Sequence, residues 1–258
     1  KTPSFGKCFI CIDDKNNRKI IGKLNSKNYQ TYGLDKNSNY KILNILQNLS
    51  FSKFDVEITL PSKKKTRINN IKIPTIGLHN IRNATAAVAV AFSIGISSNL
   101  IRQGLKNFQG VQRRFNNIFN YEKSIFIDDY AHHPTEIKEV LNGVKEVYKK
   151  KEVICIFQPH RVSRLMNLRK EFSNSFKKAD MVVLCPVYKA GENIKLSFKY
   201  ENFAKDIINN SKINLILINN QFELSQFVKQ NIFGEKIFIG MGAGSISNWM
   251  RMLETQIK

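Results

Sequence analysis

The chain has 258 residues, 42% of them hydrophobic, and a formal charge of +21. That length allows one large domain or two medium ones, and no apolar run approaches the ~18–20 residues needed to cross a bilayer. The charge invites a nucleic-acid partner, but 31 of the 41 basic residues are lysines scattered along the chain, a general Lys/Asn/Ile bias with no basic stripe. The expectation is a cytoplasmic protein with neither nucleic acid nor membrane as partner.

Lys1–Gly6 lead into a first strand without an initiator Met or a basic-then-apolar signal segment, so the chain is expected to be the latter part of something longer. That strand, 6–13, ends at Asp13-Asp14 and is followed by a short helix to about Leu24. Tyr29–Leu34 and three strand-like runs near 40–49, 52–60 and 66–76 come next, separated by turns at Lys36–Asn39 and Pro61–Lys65. Ile81–Phe92 is alanine-rich, apolar on most sides and predicted to be a buried helix. A second helix, about 97–108, closes the unit at Phe108-Gln-Gly110. Cys8 and Cys11 form a CxxC, but three residues apart on a strand they point to opposite faces and cannot easily share a metal. With Cys155 and Cys185 in apolar strand runs, all four read as reduced core thiols.

After Gly110 the pattern becomes strand-then-helix, repeated five times, which implies a parallel, doubly wound sheet. The strands are predicted at 124–130, 152–158, 181–187, 213–218 and 235–240, with helices at 134–150, 162–179, 198–211, 220–232 and 245–257. Reactive residue types collect where strands end. Asp128-Asp-Tyr-Ala-His-His133 follows the first strand, Gln158-Pro-His-Arg-Val-Ser-Arg164 the second, Tyr188-Lys-Ala-Gly-Glu192 the third, and Gly240-Met-Gly-Ala-Gly-Ser245 the fifth. Parallel strands put these four segments on one edge, the usual ligand crevice of such a sheet.

Each segment has a chemical reading. Arg161 and Arg164, three apart where a helix begins, suit a clamp for a carboxylate or phosphate, with His160 beside them. Asp129, Tyr130 and His132 can bind ribose hydroxyls, orient an amine or accept a proton. Adjacent histidines on an irregular turn lack the spacing of a helical zinc pair, so no metal site is assigned. Gly240–Ser245 is either a phosphate nest or close helix–strand packing. Further upstream, Asn80 suits a helix cap, while Asn83, one turn on, offers the donor and acceptor that an adenine edge requires.

Taken in order, Gly77-Leu-His-Asn-Ile-Arg-Asn-Ala-Thr-Ala-Ala87, Gly110-Val-Gln-Arg-Arg-Phe115, Asp128–Glu136 and Phe157–Arg164 resemble the Mur ligases. Cys11–Asp14, Thr31–Gly33, Tyr188–Glu192 and Gly242–Ser245 also fit, and the Gln-Pro-His-Arg-x-Ser-Arg segment points to the alanine-adding branch. The resemblance implies an α/β chain: part of a central ATPase-type domain (residues 1–111), then a Rossmann-like doubly wound C-terminal domain (112–258). It implies ATP-driven joining of L-alanine to the carboxyl of UDP-N-acetylmuramate through an acyl phosphate, with ATP and Mg²⁺ as cofactors. By the same resemblance His79, Asn80 and Asn83 flank the adenine, Arg114 reaches the nucleotide phosphates, and Asp129 binds the ribose. Tyr130, His132, His160, Arg161 and Arg164 form the pocket for alanine and the reacting carboxyl, with His132, Arg161 and Arg164 as the catalytic candidates. The sequence departs from the family in one respect: it contains no Gly-Lys-Ser/Thr phosphate loop, so these 258 residues are expected to be inactive alone. The other functions considered are a basic nucleic-acid-binding protein and a non-catalytic nucleotide-binding remnant.

Overall fold

The computed structural model describes residues 6–24, 28–48, 50–108 and 111–257, and the chain divides into two compact units between Gly110 and Val111. The Lys1–Phe5 lead-in, Leu49, and Gln109-Gly110, where the first unit was expected to close, lie outside the described residues.

In the first unit five strands pair in chain order: β1 (Cys8–Cys11), β2 (Tyr29–Gly33), β3 (Tyr40–Gln47), β4 (Ser52–Thr59) and β5 (Lys65–Ile73). The first three run parallel, and β3–β4 and β4–β5 are antiparallel. Alternation along β4 buries Ser52, Phe54, Val56 and Ile58 on one face, the pattern of a sheet covered on one side. β5 breaks that period, burying Ile68 and Ile71 although they are three apart. The cause is a bulge opposite Asp55, whose carboxylate accepts the Asn70 N–H at 2.8 Å. The short α1 (Lys15–Ile21) starts at Asp14, whose side chain caps the Asn16 and Asn17 N–H groups. The helices α2 (Leu78–Ser93) and α3 (Ser98–Lys106) supply the cover, placing Ile81, Val88, Ala89 and Ile101 in one core with the strand residues. As expected, α2 is covered on most sides, with a single exposed stripe at Asn83, Ala87 and Val90.

The second unit is a six-stranded sheet ordered β10-β9-β8-β11-β7-β6. Its strands are β6 (Asn116–Tyr121), β7 (Ser124–Asp129), β8 (Glu152–Phe157), β9 (Met181–Leu184), β10 (Asn214–Leu217) and β11 (Lys236–Met241). The five expected strands are parallel, and β6 joins β7 antiparallel at one edge. No strand was anticipated at β6, because Asn116-Asn-Ile-Phe-Asn-Tyr121 has little apolar alternation. It is held by Phe119, which stacks on Phe126 at 4.2 Å, and Phe126 stacks in turn on Phe238 at 4.8 Å.

One face of this sheet is covered by α4 (Pro134–Val147), α5 (Val162–Asn167), α6 (Arg169–Ser173) and α7 (Tyr200–Ser211), with Leu141, Leu165, Phe172 and Phe203 in that core. The other is covered by α8 (Gln221–Asn231) and α9 (Ile246–Ile257) through Leu224, Val228, Ile246 and Met250. The fold is therefore doubly wound α/β. Two predicted boundaries shift. The single helix expected over 162–179 is broken at Leu168 (φ −116°, ψ 21°) and ends at Ser173. β9 stops at Leu184, since Pro186 two residues on cannot donate to a ladder. No disulfide joins the four cysteines; Cys8 and Cys11 are only half-buried, not core thiols as expected, while burial pushes the Cys155 and Cys185 thiols far above their ordinary range.

Candidate active site

β7, β11, β8 and β9 are consecutive across the sheet, and the four polar segments lie beyond the carboxyl ends of these strands. The pair at the end of β7 is buried inward. Asp129 is 1% exposed and accepts the Ala131 N–H at 2.7 Å on one oxygen and the Phe115 N–H at 2.8 Å on the other. Burial dominates its ionisation and raises its pKa to about 6, against the two N–H bonds and Arg114, which lower it. Asp128 is fully buried and accepts a short hydrogen bond from Ser247 of α9, with Arg113 Nε at 3.8 Å and Arg251 at 3.7 Å. Arg113 also donates to the Gly242 carbonyl at 2.6 Å and lies over the Tyr130 ring at 4.8 Å. These two acids stitch the turn before β6, the end of β7 and the start of α9 into one frame.

The adjacent histidines separate into two jobs. His133 is the N-cap of α4: its ring nitrogen accepts the Thr135 N–H, and Glu136 returns a capping-box bond to the His133 N–H. Pro134 takes the first helical position, as expected. His132 instead turns its Nδ1 to the Tyr130 carbonyl at 2.8 Å. A carbonyl only accepts, so Nδ1 carries the proton and Nε2 presents its lone pair.

Beyond β8, Arg161 sits just before α5 in a left-handed conformation (φ 69°), its N–H bonded to the Tyr188 carbonyl at 2.8 Å. The two arginines therefore do not share a helical face, as their spacing had suggested. Arg164 folds back so that its guanidinium meets His160 Nδ1 at 3.2 Å and the His160 carbonyl at 3.3 Å. A guanidinium only donates, so His160 accepts through Nδ1 and carries its proton on Nε2. Burial first, then Arg164, His132 and Arg161, hold its pKa below the usual imidazole value. Four rings form a continuous row: Tyr130–His132 at 5.0 Å, His132–His160 at 5.8 Å and His160–Tyr188, stacked, at 5.6 Å.

Tyr188 and Gln158 received no role from the sequence, yet both are central. Gly242 has φ 150°, and a Cβ there would lie 2.7 Å from the Gln158 carbonyl oxygen. A Cβ on Gly244 would lie 2.5 Å from both Gln158 Oε1 and Tyr188 Cγ. The Gln158 side chain also takes the first N–H of α9, at Ile246 (3.1 Å). Close packing, the alternative to a phosphate nest, accounts for this loop. The glycines preceding Ser245 were the readable signal, since they mark where backbone and ring must approach.

In the first unit, Asp13 is the hub. It accepts the Leu34 and Asp35 N–H groups on one oxygen and pairs with Arg82 of α2 at 2.7 Å on the other. Asn80 is not the cap of α2, which is Gly77 without a side-chain bond; its amide donates to the Ile76 carbonyl at 2.7 Å. His79 is half-buried over Gly77, whereas Asn83 and, in the second unit, Arg114 are exposed. Among the described residues no three His, Cys, Asp or Glu side chains gather as a metal-binding group.

Known proteins share both units of this chain. Residues 2–91 match the Mur ligase middle domain, and residues 113–244 match the family described as Mur ligase, glutamate ligase domain. The chain belongs to the Mur ligase family. UDP-N-acetylmuramate–L-alanine ligase of Pelagibacter ubique is 63% identical over 98% of this chain and 54% of that protein. The ligase of the same name from Rickettsia felis is 37% identical over 99% of the chain and 54% of its own length. The chain thus spans about half the length of the curated relatives it matches. The crystal structure of UDP-N-acetylmuramate-alanine ligase from Thermotoga maritima superposes with a TM-score of 0.69 at 26% identity, covering 88% of this chain and 47% of that one. A murein peptide ligase from Psychrobacter arcticus, 21% identical, shares the Mur ligase fold with a TM-score of 0.69 over 99% of this chain and 52% of its own.

Proposed function

We propose that residues 1–111 are the carboxyl-terminal part of a Mur ligase central domain and that 112–258 are its amino-acid-binding domain. The complete protein would join L-alanine to UDP-N-acetylmuramate at the expense of ATP. The carrying observation is the row Tyr130, His132, His160 and Tyr188, flanked by Arg161 and Arg164, in a chain 63% identical to an alanine-adding ligase.

The chemistry follows from the donors and lone pairs. Arg161 is exposed and free to take the alanine carboxylate in a forked pair. Arg164, held on His160, keeps a second positive charge at the same place and neutralises the reacting carboxyl. The attacking nitrogen must shed a proton, and His132 Nε2 is a lone pair able to receive it. The carbonyl carbon forms its bond to nitrogen as the bond to the phosphoryl oxygen breaks, and phosphate leaves with that electron pair. The pocket supplies positioning and charge, the usual means for this kind of step.

Taken unit by unit, the exposed Asn83 amide of the first suits a base edge, and the exposed Arg114 guanidinium of the second suits a phosphate. Asn80 and Asp129 are already engaged with the backbone, so in our reading Asp129 meets a ribose only if one of its two N–H bonds is shared. Mg²⁺ is ordinarily held by one or two carboxylates together with the substrate phosphates; among the described residues no three His, Cys, Asp or Glu side chains gather to hold it by themselves. The location is read as cytoplasmic; no helix among the described residues is long and apolar enough to cross a membrane.

The test is a chimera carrying the amino-terminal half of the Pelagibacter ubique ligase before these 258 residues. It should release phosphate only when UDP-N-acetylmuramate, ATP and L-alanine are all present, while the 258-residue chain alone releases none. Turnover by the chain alone, or a folded chimera without turnover, refutes the proposal.

A further inference from the structure

The strained Arg161 backbone needs an external restraint, because a non-glycine residue at φ 69° persists only when its surroundings over-determine it. α5, which follows, is only six residues long and receives no side-chain cap from Arg161. The restraint comes from the loop beyond β9. Tyr188 brackets the turn, donating its N–H to the Pro159 carbonyl at 2.8 Å and accepting the Arg161 N–H at 2.8 Å. Four residues on, Glu192 takes both donors of Ser163: the backbone N–H at 3.0 Å and, through its other oxygen, the hydroxyl in a short bond. These bonds hold the Glu192 carboxyl below its ordinary pKa, the Ser163 hydroxyl contributing most. The loop reaches Ser163 through two successive left-handed residues, Ala190 (φ 52°) and Gly191 (φ 81°). Ser163 lies between Arg161 and Arg164 in the chain.

We infer that Glu192 is a positioning residue: by holding Ser163 it locks Arg161 in its left-handed conformation and keeps Arg164 on His160. Its importance for catalysis rests on the substrate-binding role given above to those arginines, but the lock can be tested without substrate. The groups facing His160 are Arg164, Arg161, His132, Glu192 and the Tyr188 ring. Glu192 acts on His160 in two ways of opposite sign. Its own negative charge raises the His160 pKa slightly, whereas the arginines it holds in place lower it, Arg164 more strongly than anything but burial.

The experiment is an NMR titration of the four histidines in the 258-residue chain, comparing the parent with Glu192→Ala, Ser163→Ala and, as a control, Lys189→Ala. A lock predicts that Glu192→Ala raises the His160 pKa by roughly half a unit or more, as Arg164 and Arg161 move away and water enters. Ser163→Ala, which keeps the backbone N–H, should shift it less in the same direction, and Lys189→Ala should leave it unmoved. A fall in the Glu192→Ala variant means that only the charge was lost, and it overturns the proposal. No change in either Glu192→Ala or Ser163→Ala overturns it as well. If Glu192→Ala does not fold, the direction of the Ser163→Ala shift decides. Neither result depends on ligase turnover, so failure here is distinct from failure of the proposed reaction.

Discussion

The two edges of the second unit's sheet use the same residue types to different ends. At the amino edge, Lys145–Asp180, Lys151–Glu235 and Lys236–Glu152 pair at 2.5, 3.8 and 3.2 Å, with acid side chains 42, 56 and 41% exposed. Water screens such pairs, and each is worth under ~1 kcal/mol. At the carboxyl edge the acids are buried: Asp128 lies between Arg113, Arg251 and Ser247, and Asp129 between two backbone N–H groups. There a charge must be matched or neutralised. The contrast explains why a formal charge of +21 said little about function. What matters is where water is excluded, and that is where Arg113, Tyr130 and the rings of the pocket are fixed.

The largest difference between the two edges is expected at Asp128. Asp128→Ala leaves Arg113 without its buried counter-charge and Ser247 without its acceptor, and should cost roughly 3–5 kcal/mol in urea unfolding. Lys236→Ala at the other edge should cost under ~1 kcal/mol. Similar losses at both edges would mean that the carboxyl-edge frame is no more than a solvated ion pair.

At Asp129 the buried edge shows itself through pH. Its carboxyl has an ordinary value of 3.8 and a folded value of about 6, so between those values the folded state holds a proton that the unfolded state has lost. Its contribution to stability is complete below pH 3.8 and falls as pH rises towards 6, by up to ~3 kcal/mol for a shift of about two units. The difference in stability between the parent and Asp129→Asn, measured from pH 4 to 7, should carry that slope. A flat difference would show that the two N–H bonds, and not burial, govern this carboxyl.

Much of the fold was legible. The change at Gly110 from mixed strands to strand–helix repeats, the five parallel strands and the polar residues at their carboxyl ends can all be read from apolar runs and their breaks. β6 was not legible, because its Asn-rich sequence owes its place to one buried ring, Phe119, stacking on a neighbour that the chain supplies later. The split of the long helix at Leu168 was not legible either, because no Gly or Pro marks it between Val162 and Ser173. Within the site, residue types identified the place but not the division of labour. Spacing could not tell His132, which faces the ring row, from His133, which caps α4; nor could it tell Arg113, tied to buried Asp128, from exposed Arg114. Glu192 is a ligand of Ser163 across 29 residues, a distance in sequence that no local pattern spans.

Arg161 is the proposed partner of the alanine carboxylate, and the amino-acid site stands or falls with it. In the chimera with the Pelagibacter ubique amino-terminal half, Arg161→Ala should raise the KM for L-alanine roughly 10- to 100-fold, the cost of one charged hydrogen-bonded contact. The KM for ATP should stay within about twofold of the parent, as should both constants in Lys236→Ala. An unchanged KM for L-alanine in Arg161→Ala would contradict the assignment of this edge as the amino-acid site.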